Sequence, residues 1–350
     1  MNSFSVRARA WALLLGMGAC APFASYAAMQ ELADEDLADV HGQAFINLTT
    51  HSAGGVDFTR INFGLDIETQ MNARKLQLGL YDRAGEAGNT ADLDINAFAL
   101  GTVNDATGQV NPFRIKDPYL EVAYRGSKIV GVRVGFGEAK GELSGEINRL
   151  TGNVPVYIKG TANAIYDKAT PGQIFLLGLA GVYRSSQLEA DAELVSSSGE
   201  LDPVRATHSG IRNGDGLKCV SGCAGGWTDA LLDLPFTKSN NCAVLGIATC
   251  FGLNQFQTLP VGDLARAGMD GAVRDMFISM QTEAVTWKGS AGQPDVNAIV
   301  GAFMNLPKYL DANGQLKAPI QLDFGQALNG IPRKDTCFGA SNGSTAQGGC

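Results

Sequence analysis

The side chains best suited to chemistry in this sequence are seven cysteines, three histidines and several pairs of carboxylates. A serine hydrolase would need a histidine beside a serine and an acid, but the Gly-x-Ser-x-Gly pattern does not occur. His41, His51 and His208 each lie beside predicted turns or loops, where exposed histidines are ordinary. Asp92 and Asp94 share one face of a predicted strand, and a solvated sheet face accounts for them without acid–base catalysis. We therefore expect no catalytic residues, no cofactor and a non-enzymatic protein.

Metal binding has little support in the residue spacing. Cys219 and Cys223 form the tightest cysteine pair, but a zinc site needs four ligands and no Cys-x2-Cys partner follows. Residues 213–216 (Asn-Gly-Asp-Gly) and 311–314 (Asp-Ala-Asn-Gly) offer oxygen ligands around glycine. Neither segment has the closing glutamate of a calcium loop. Both segments are predicted to be ordinary turns, and no metal site is expected.

Six of the cysteines lie in the last third of the chain, and their number is even. Such a count in an exported chain favours disulfides. Spacing cannot fix the connectivity, but pairing in chain order would close three short loops. The candidate pairs are Cys219–Cys223, Cys242–Cys250 and Cys337–Cys350.

Residues 1–27 have the organisation of a secretory signal peptide. Arg7 and Arg9 provide a positive end, an apolar run follows, and Ser25-Tyr26-Ala27 supplies small residues for cleavage. Cys20 follows Met17-Gly18-Ala19, a loose lipobox, so lipidation at Cys20 is the alternative to simple cleavage. Loss of Arg7 and Arg9 leaves 25 basic against 35 acidic residues, a net charge of −10. The longest later apolar run, near 174–183, contains glycines, so no transmembrane helix is expected.

Residues 44–200 have the alternation of apolar and polar side chains that is typical of strands with one face toward water. Short spacings and glycine-containing turns, as at 83–85 and 125–128, favour antiparallel pairing over βαβ units. The sequence predicts a mainly β protein with a glycine-rich, elongated or sandwich-like antiparallel sheet. The alternating apolar sets are Phe63, Leu65 and Ile67; Leu76, Leu78 and Leu80; Leu93 and Ile95; Leu120, Val122 and Tyr124; Val130, Val132, Val134 and Phe136; and Val154, Val156 and Ile158.

Residues 201–338 are predicted to form an α+β part that is stapled by disulfides. Val296, Ile299, Val300 and Phe303 have helical spacing after a capping Asp295. A second helix is predicted from about residue 263 to 280, and residues 339–350 are predicted to form a Gly/Ser-rich tail.

The net charge is distributed unevenly along the chain, because residues 28–200 carry 23 acidic and 14 basic side chains. An acidic, soluble sheet face is the expected consequence.

Residues 28–43 are predicted to form a short acidic helix that ends at Gly42. The run Leu32-x-Asp-x-x-Leu37-x-x-Val40-x-Gly42-Gln43 resembles the start of exported Gram-negative proteins that include the FilA-like proteins of a pilus system. The segments 117–121 (Asp-Pro-Tyr-Leu-Glu) and 131–136 (Gly-Val-Arg-Val-Gly-Phe) are similar to their central strands. This resemblance implies an envelope or cell-surface protein linked to a fibre, and it implies no catalytic residue.

The acidic balance excludes a nucleic-acid partner, because affinity for phosphates depends on Lys and Arg. The expected function is that of an exported envelope or cell-surface protein, associated with a pilus, a fibre or adhesion. Its expected place is the periplasm, the outer membrane or the cell surface, and its expected partners are other envelope or fibre proteins. The alternative is a periplasmic carrier of lipid or another hydrophobic ligand, in which a curved sheet with one apolar face cradles the ligand.

Overall fold

The computed structural model describes residues 46–336, apart from residues 87, 105, 225–236, 291 and 312. The predicted signal peptide, the acidic helix, Cys20, His41, Cys337, Cys350 and the predicted tail lie outside the described residues.

The described chain is mainly β. In chain order its first strands are β1 (Ile46–Ala53), β2 (Val56–Phe63), β3 (Asp66–Thr69), β4 (Met71–Tyr81), β5 (Thr90–Leu100), β6 (Thr102–Val103), β7 (Val110–Asn111), β8 (Phe113–Arg125), β9 (Lys128–Leu150), β10 (Gly152–Asn153), β11 (Val156–Thr161), β12 (Gln187–Val195) and β13 (His208–Gly210). The later strands are β14 (Lys218–Ser221), β15 (Ala243–Val244), β16 (Ile247–Ala248), β17 (Cys250–Gly252), β18 (Thr258–Val261), β19 (Val273–Gln281), β20 (Val285–Trp287), β21 (Val296–Ala298), β22 (Gly301–Asn305), β23 (Tyr309–Leu310), β24 (Leu316–Lys317) and β25 (Ile320–Leu322). The helices are α1 (Asn163–Lys168), α2 (Pro171–Leu179), α3 (Phe324–Asn329) and a 3-10 turn at Leu253–Gln255.

The larger sheet has eleven strands and runs in the order β1-β2-β8-β9-β19-β22-β10. All of its pairings are antiparallel except that of β10 with β22. Strand β9 is 23 residues long: its first part pairs with β8 and β19, and its later part pairs with β5 and β18. The larger sheet thus takes strands from both sides of residue 200.

A six-stranded sheet, β17-β13-β12-β11-β25 with β14 on β12, packs on the same core. That core includes Leu93 and Ile147 of the larger sheet and Ile158, Leu188 and Ile320 of the smaller one, all buried. The predicted antiparallel, β-rich fold class is therefore confirmed.

Tight turns set the register of the long strands. The β1–β2 hairpin closes through Gly54 and Gly55, whose φ values of +59° and +74° suit the two central positions of a type I′ turn. The β8–β9 hairpin closes where the turn is predicted, with Arg125 opposite Lys128.

The two predicted helices in 263–303 are wrong. Residues 273–281 form β19, which pairs along β9, and Val296 and Phe303 lie in two different strands, β21 and β22. Gly301 has a φ of +104°, which ends any helical path between them. The apolar spacing fitted a helix by coincidence, and pairing with neighbouring strands decided the outcome.

Several glycines of β9 leave room for large side chains from its neighbours. A Cβ at Gly135 would lie 2.3 Å from Cζ of Tyr119, and one at Gly131 would lie 3.0 Å from the Trp287 ring. Both rings are buried, so these glycines let aromatic rings lie directly over the backbone of β9.

We expect Gly135→Ala to destabilise the protein by about 1–3 kcal/mol, because the buried Tyr119 ring has no space to move away. Gly178→Ala in α2 is the matched control, since no heavy atom of the described chain lies within 4 Å of its Cβ position. That substitution should be neutral or stabilising by about 0.4–1 kcal/mol. Urea unfolding measures both, and equal midpoints for the two variants would contradict the prediction.

Candidate functional site: an exposed apolar sheet face

One face of the larger sheet presents a row of apolar side chains across neighbouring strands. Residues that are cross-strand partners place their side chains on the same face. Starting at the β1 edge, the successive partners are Leu48, Ile61, Leu120, Val134, Ile278 and Met304. The row begins in solvent, where Leu48 is 62% exposed, and ends in the core at Met304.

The adjacent row on this face is Thr50, Thr59, Val122, Val132, Met280 and Ala302. Val134 and Met280 are half exposed, at 51% and 50%. We call the following residues the outer apolar face: Leu48, Ile61, Leu120, Val122, Val132, Val134, Ile278 and Met280. Contiguous exposed apolar patches are a feature of interaction sites, which makes this face the candidate site.

The opposite face of the same strands is buried and carries charge. Glu121 and Arg133 are cross-strand partners on β8 and β9, and both are fully buried. Arg133 Nε donates to Glu121 Oε2, and Arg60 on β2 reaches the same oxygen at 3.2 Å. Sequence alternation predicts one face toward water. In these strands that face carries apolar residues, while the covered face carries the charged pair together with an apolar cluster that includes Phe58, Phe277 and Trp287.

Tyr119 and Asp275 complete this buried cluster, which we call the inner polar network: Arg60, Tyr119, Glu121, Arg133 and Asp275. Tyr119 Oη donates to Asp275 Oδ1 at 2.6 Å, and the Arg60 guanidinium lies 4.0 Å from the Tyr119 ring centroid. Burial raises the pKa of Tyr119, and the Asp275 carboxylate reinforces the rise, so its hydroxyl remains a donor. Two arginines and two carboxylates balance in charge, which is the condition under which ions are tolerated in a core.

The β20–β21 hairpin covers the inner polar network. Arg133 Nη2 donates to the Lys288 carbonyl at 2.8 Å, and the Ser290 amide donates to Asp275 Oδ2 at 3.1 Å. The Arg133 guanidinium also lies 5.1 Å from the Trp287 ring centroid and 4.9 Å from that of Phe277. One guanidinium therefore ties β8, β9 and the covering hairpin together.

Hydrogen bonding in this region is incomplete among the described residues. Arg133 Nη1, Glu121 Oε1 and Trp287 Nε1 are buried without a hydrogen-bond partner. Leaving such atoms unpaired costs about 1–3 kcal/mol each. The network and the apolar cluster around Phe58, Phe277 and Trp287 together form the covered side of these strands, so the outer apolar face is the side turned toward solvent.

Strand β1 is one of the edge strands of the sheet, since in the described part of the chain it pairs only with β2. His51 on β1 stacks on Phe58, with ring centroids 4.5 Å apart, and its Nδ1 lies 3.8 Å from Glu121 Oε1. Burial lowers the pKa of His51 below its ordinary value of 6.5, although Glu121 opposes the shift. His51 lies in a strand and is partly buried, so its prediction as an exposed loop residue is wrong.

The predicted disulfides lie away from this face. The structure joins Cys219 to Cys223 and Cys242 to Cys250, as chain order predicts. Cys219 lies on β14 and Cys250 on β17, so both bridges brace the edges of the smaller sheet.

The prediction that Asp92 and Asp94 lie on a solvated face is wrong. Asp92 is fully buried: its Oδ1 accepts from Arg205 Nε at 2.9 Å, and its Oδ2 accepts from the Ala302 amide at 2.8 Å. Asp94 is also buried, beside Lys75 at 3.4 Å. The Asp92–Arg205 pair joins β5, β22 and the loop after β12, so it is a structural clamp.

The turn predicted at 213–216 is present, and in the segment 311–314 the Gly314 amide donates to the Asp311 carbonyl at 3.0 Å, as in a turn. Asp311 Oδ1 accepts backbone amides from Gln315 and Asn313 at 2.9 and 2.8 Å, and these bonds lower the pKa of Asp311. Within the described ranges, no group of three or more His, Cys, Asp or Glu side chains is placed to hold a metal ion. His208 lies at the start of β13, not in a loop, and its Nδ1 lies 2.9 Å from Thr207 Oγ1.

No protein-family model matches the chain, and neither a curated protein nor a solved structure shows significant similarity to it. Among the described residues, no helix is both long enough and apolar enough to cross a membrane.

We expect Arg133→Met to destabilise the protein by about 3–5 kcal/mol, because it leaves the two carboxylates of the inner polar network, Glu121 and Asp275, with Arg60 as their one arginine. Arg184→Met is the matched control. Arg184 and Asp167 form an exposed ion pair at 2.6 Å, and breaking such a pair costs about 0–1 kcal/mol. The double variant Glu121→Leu with Arg133→Met should recover most of the loss in urea unfolding. A loss as small as that of Arg184→Met would contradict the prediction.

We expect the free energy of unfolding to fall below pH 6.5 more steeply in the wild type than in His51→Phe. The unfolded chain binds a proton at the ordinary histidine pKa, whereas folded His51 resists it, so acid favours the unfolded state. Phenylalanine keeps the stack on Phe58 and removes the titration. Urea unfolding at a series of pH values gives both curves, and parallel curves would refute the assignment.

Proposed function

We propose that this chain is a non-enzymatic exported envelope or cell-surface protein that docks on another fibre or envelope protein through its outer apolar face. The observation that carries the proposal is the row from Leu48 to Val134. Its side chains face solvent, while Glu121 and Arg133 of the same strands are buried behind it. Because the buried side of these strands already carries an apolar cluster with Phe58, Phe277 and Trp287, the outer apolar face is a second apolar surface, and its exposure suits a partner.

The disulfides and the predicted signal peptide both support a protein that works outside the cytoplasm. Two disulfides indicate an oxidising, extracellular-type environment. The signal peptide predicted in residues 1–27 and the resemblance to FilA-like proteins support export and an association with a fibre.

The exposed edge and side chains of strand β1 indicate what kind of segment the partner contributes. An edge strand offers unpaired amides and carbonyls to an incoming strand, and alternate side chains of that strand meet the adjoining face. Ile46 and Leu48 lie on the same side of β1 and are 56% and 62% exposed. The proposed partner therefore contributes an extended segment with alternating apolar residues, which adds beside β1 and continues the apolar rows.

A lipid carrier is the competing function. A ligand pocket of this kind usually holds about 300–1,000 Å³. Two apolar cavities in the core are each about 30 Å³, one lined by residues such as Leu150 and Phe256 and the other by residues such as Leu177 and Ile165. These cavities are too small for an acyl chain, and the open face suits a protein partner better.

Site-specific photo-crosslinking in exporting cells tests the proposal. We expect a crosslinker placed at position 48 to give a protein adduct, identified by mass spectrometry as an envelope or fibre component. The same crosslinker at position 316 should give none, although Leu316 is equally exposed at 64%. Adducts with lipid alone would instead support the carrier.

The double variant Ile61→Lys with Val134→Lys should lower the adduct yield from position 48 at least tenfold, which corresponds to about 1.4 kcal/mol of docking free energy. Lysine on this face would have to be buried unpaired in the complex. Leu316→Lys is the matched substitution and should leave the yield unchanged. Thermal unfolding by circular dichroism verifies that each variant is folded, and equal adduct yields from both would overturn the proposal.

A further inference from the structure

A second exposed apolar surface lies on helix α2, on the smaller-sheet side of the core. Its sequence is Pro-Gly-Gln-Ile-Phe-Leu-Leu-Gly-Leu, and Phe175 and Leu179 are 66% and 61% exposed. Ile174, Leu176 and the nearby Tyr183 are also exposed. A surface helix of a soluble domain normally presents polar residues to water, so this helix needs another explanation.

The helix is fixed in place with its apolar side chains outward. Thr170 and Gln173 form a capping box at its start, and Leu177 and Ala180 anchor it in the core. Gln173 Nε2 also donates to the Gly246 carbonyl at 2.5 Å. The exposed side chains therefore project from a rigid base, and their exposure is a property of the fold.

The charges around α2 suit an anionic surface. The sequence from Lys168 to Leu188 contains no acidic residue, in a chain whose net charge is −8. Lys168 ends α1, immediately before α2, and Arg184 follows α2 with its side chain 55% exposed. Asp167 pairs with Arg184, which leaves one net positive charge beside the helix.

We propose that α2 inserts into the surface of a lipid bilayer, with Phe175 and Leu179 below the headgroups and Lys168 and Arg184 at the level of the phosphates. Interfacial helices of this kind bury their apolar side by about 5–10 Å, and basic residues attract them to anionic lipid. Tyr183 has the amphipathic character that suits the boundary.

Flotation of the full-length mature protein with vesicles of phosphatidylethanolamine and phosphatidylglycerol tests the proposal. The wild type should float with these vesicles. Phe175→Glu with Leu179→Glu should lower the bound fraction at least tenfold, while Leu316→Glu should leave it unchanged. Lys168→Ser with Arg184→Ser should weaken binding to these vesicles but not to pure phosphatidylcholine vesicles, and added salt should reproduce that loss.

Phe175→Trp provides a second readout that does not depend on a disruptive variant. Compared with the wild type, its added fluorescence should shift to the blue on mixing with vesicles and should be quenched by brominated lipid. Flotation of the double glutamate variant at the wild-type level, or an unshifted signal from the Phe175→Trp variant, would overturn the proposal. Dimers that depend on Leu179 in sedimentation, without vesicle binding, would overturn it in favour of a second copy. None of these results bears on docking at the outer apolar face, so the two proposals fail separately.

Discussion

The buried ion pair between Glu121 and Arg133 constrains how β8 and β9 face each other, because turning over one of the two strands would leave the other charge buried alone. A strand that slips by one residue turns every side chain to the other side, so β8 and β9 have two possible arrangements. Hydrophobic burial alone does not choose between them, because Leu120 and Val134 lie on one face while Phe58, Val130, Phe277 and Trp287 lie on the other. In the observed arrangement Leu120 and Val134 face outward, and Glu121 pairs with Arg133 and Tyr119 with Asp275 beneath the β20–β21 hairpin. A buried pair is weak evidence for stability but a good device for specifying one arrangement.

The glycines of β9 make this arrangement sterically possible. A guanidinium can lie between aromatic rings only where the neighbouring residues of its strand have no side chains in the way. Gly131 and Gly135, on either side of Arg133, leave that space free. The rings of Trp287 and Tyr119 occupy the space that side chains at these two positions would fill. The high glycine content of the chain therefore has a second role beyond its turns: it admits rings and charges into the interior of a sheet.

Four features could be predicted from the sequence: the class of fold, most strand positions, the hairpin at 125–128 and two disulfide pairs. They were predictable because period-two alternation, turn residues and cysteine order are local signals. The facing of β8 and β9 was not predictable in the same way. The alternation of Leu120 and Glu121 is the same whichever of the two side chains is buried. Which one is buried depends on contacts with Arg60, Asp275 and Trp287, which are distant in sequence. The prediction of helices in 263–303 was wrong for a related reason. Residues 273–281 form β19 because they pair with β9, which lies far away in sequence. The burial of Asp92 could not be predicted for the same reason, because its partner Arg205 lies more than a hundred residues away in sequence.

Both exposed apolar surfaces are held outward by specific contacts, and this argues against their being accidents of packing. Leu177 and the Thr170–Gln173 capping box fix α2, and the inner polar network with the apolar cluster around Phe58, Phe277 and Trp287 forms the covered side behind the outer apolar face. One surface is a flat sheet face beside an open edge strand, which suits an added strand. The other is a short convex helix with basic neighbours, which suits lipid headgroups. The two proposed occupants, an added strand and lipid headgroups, follow from this difference in shape and charge between the two surfaces.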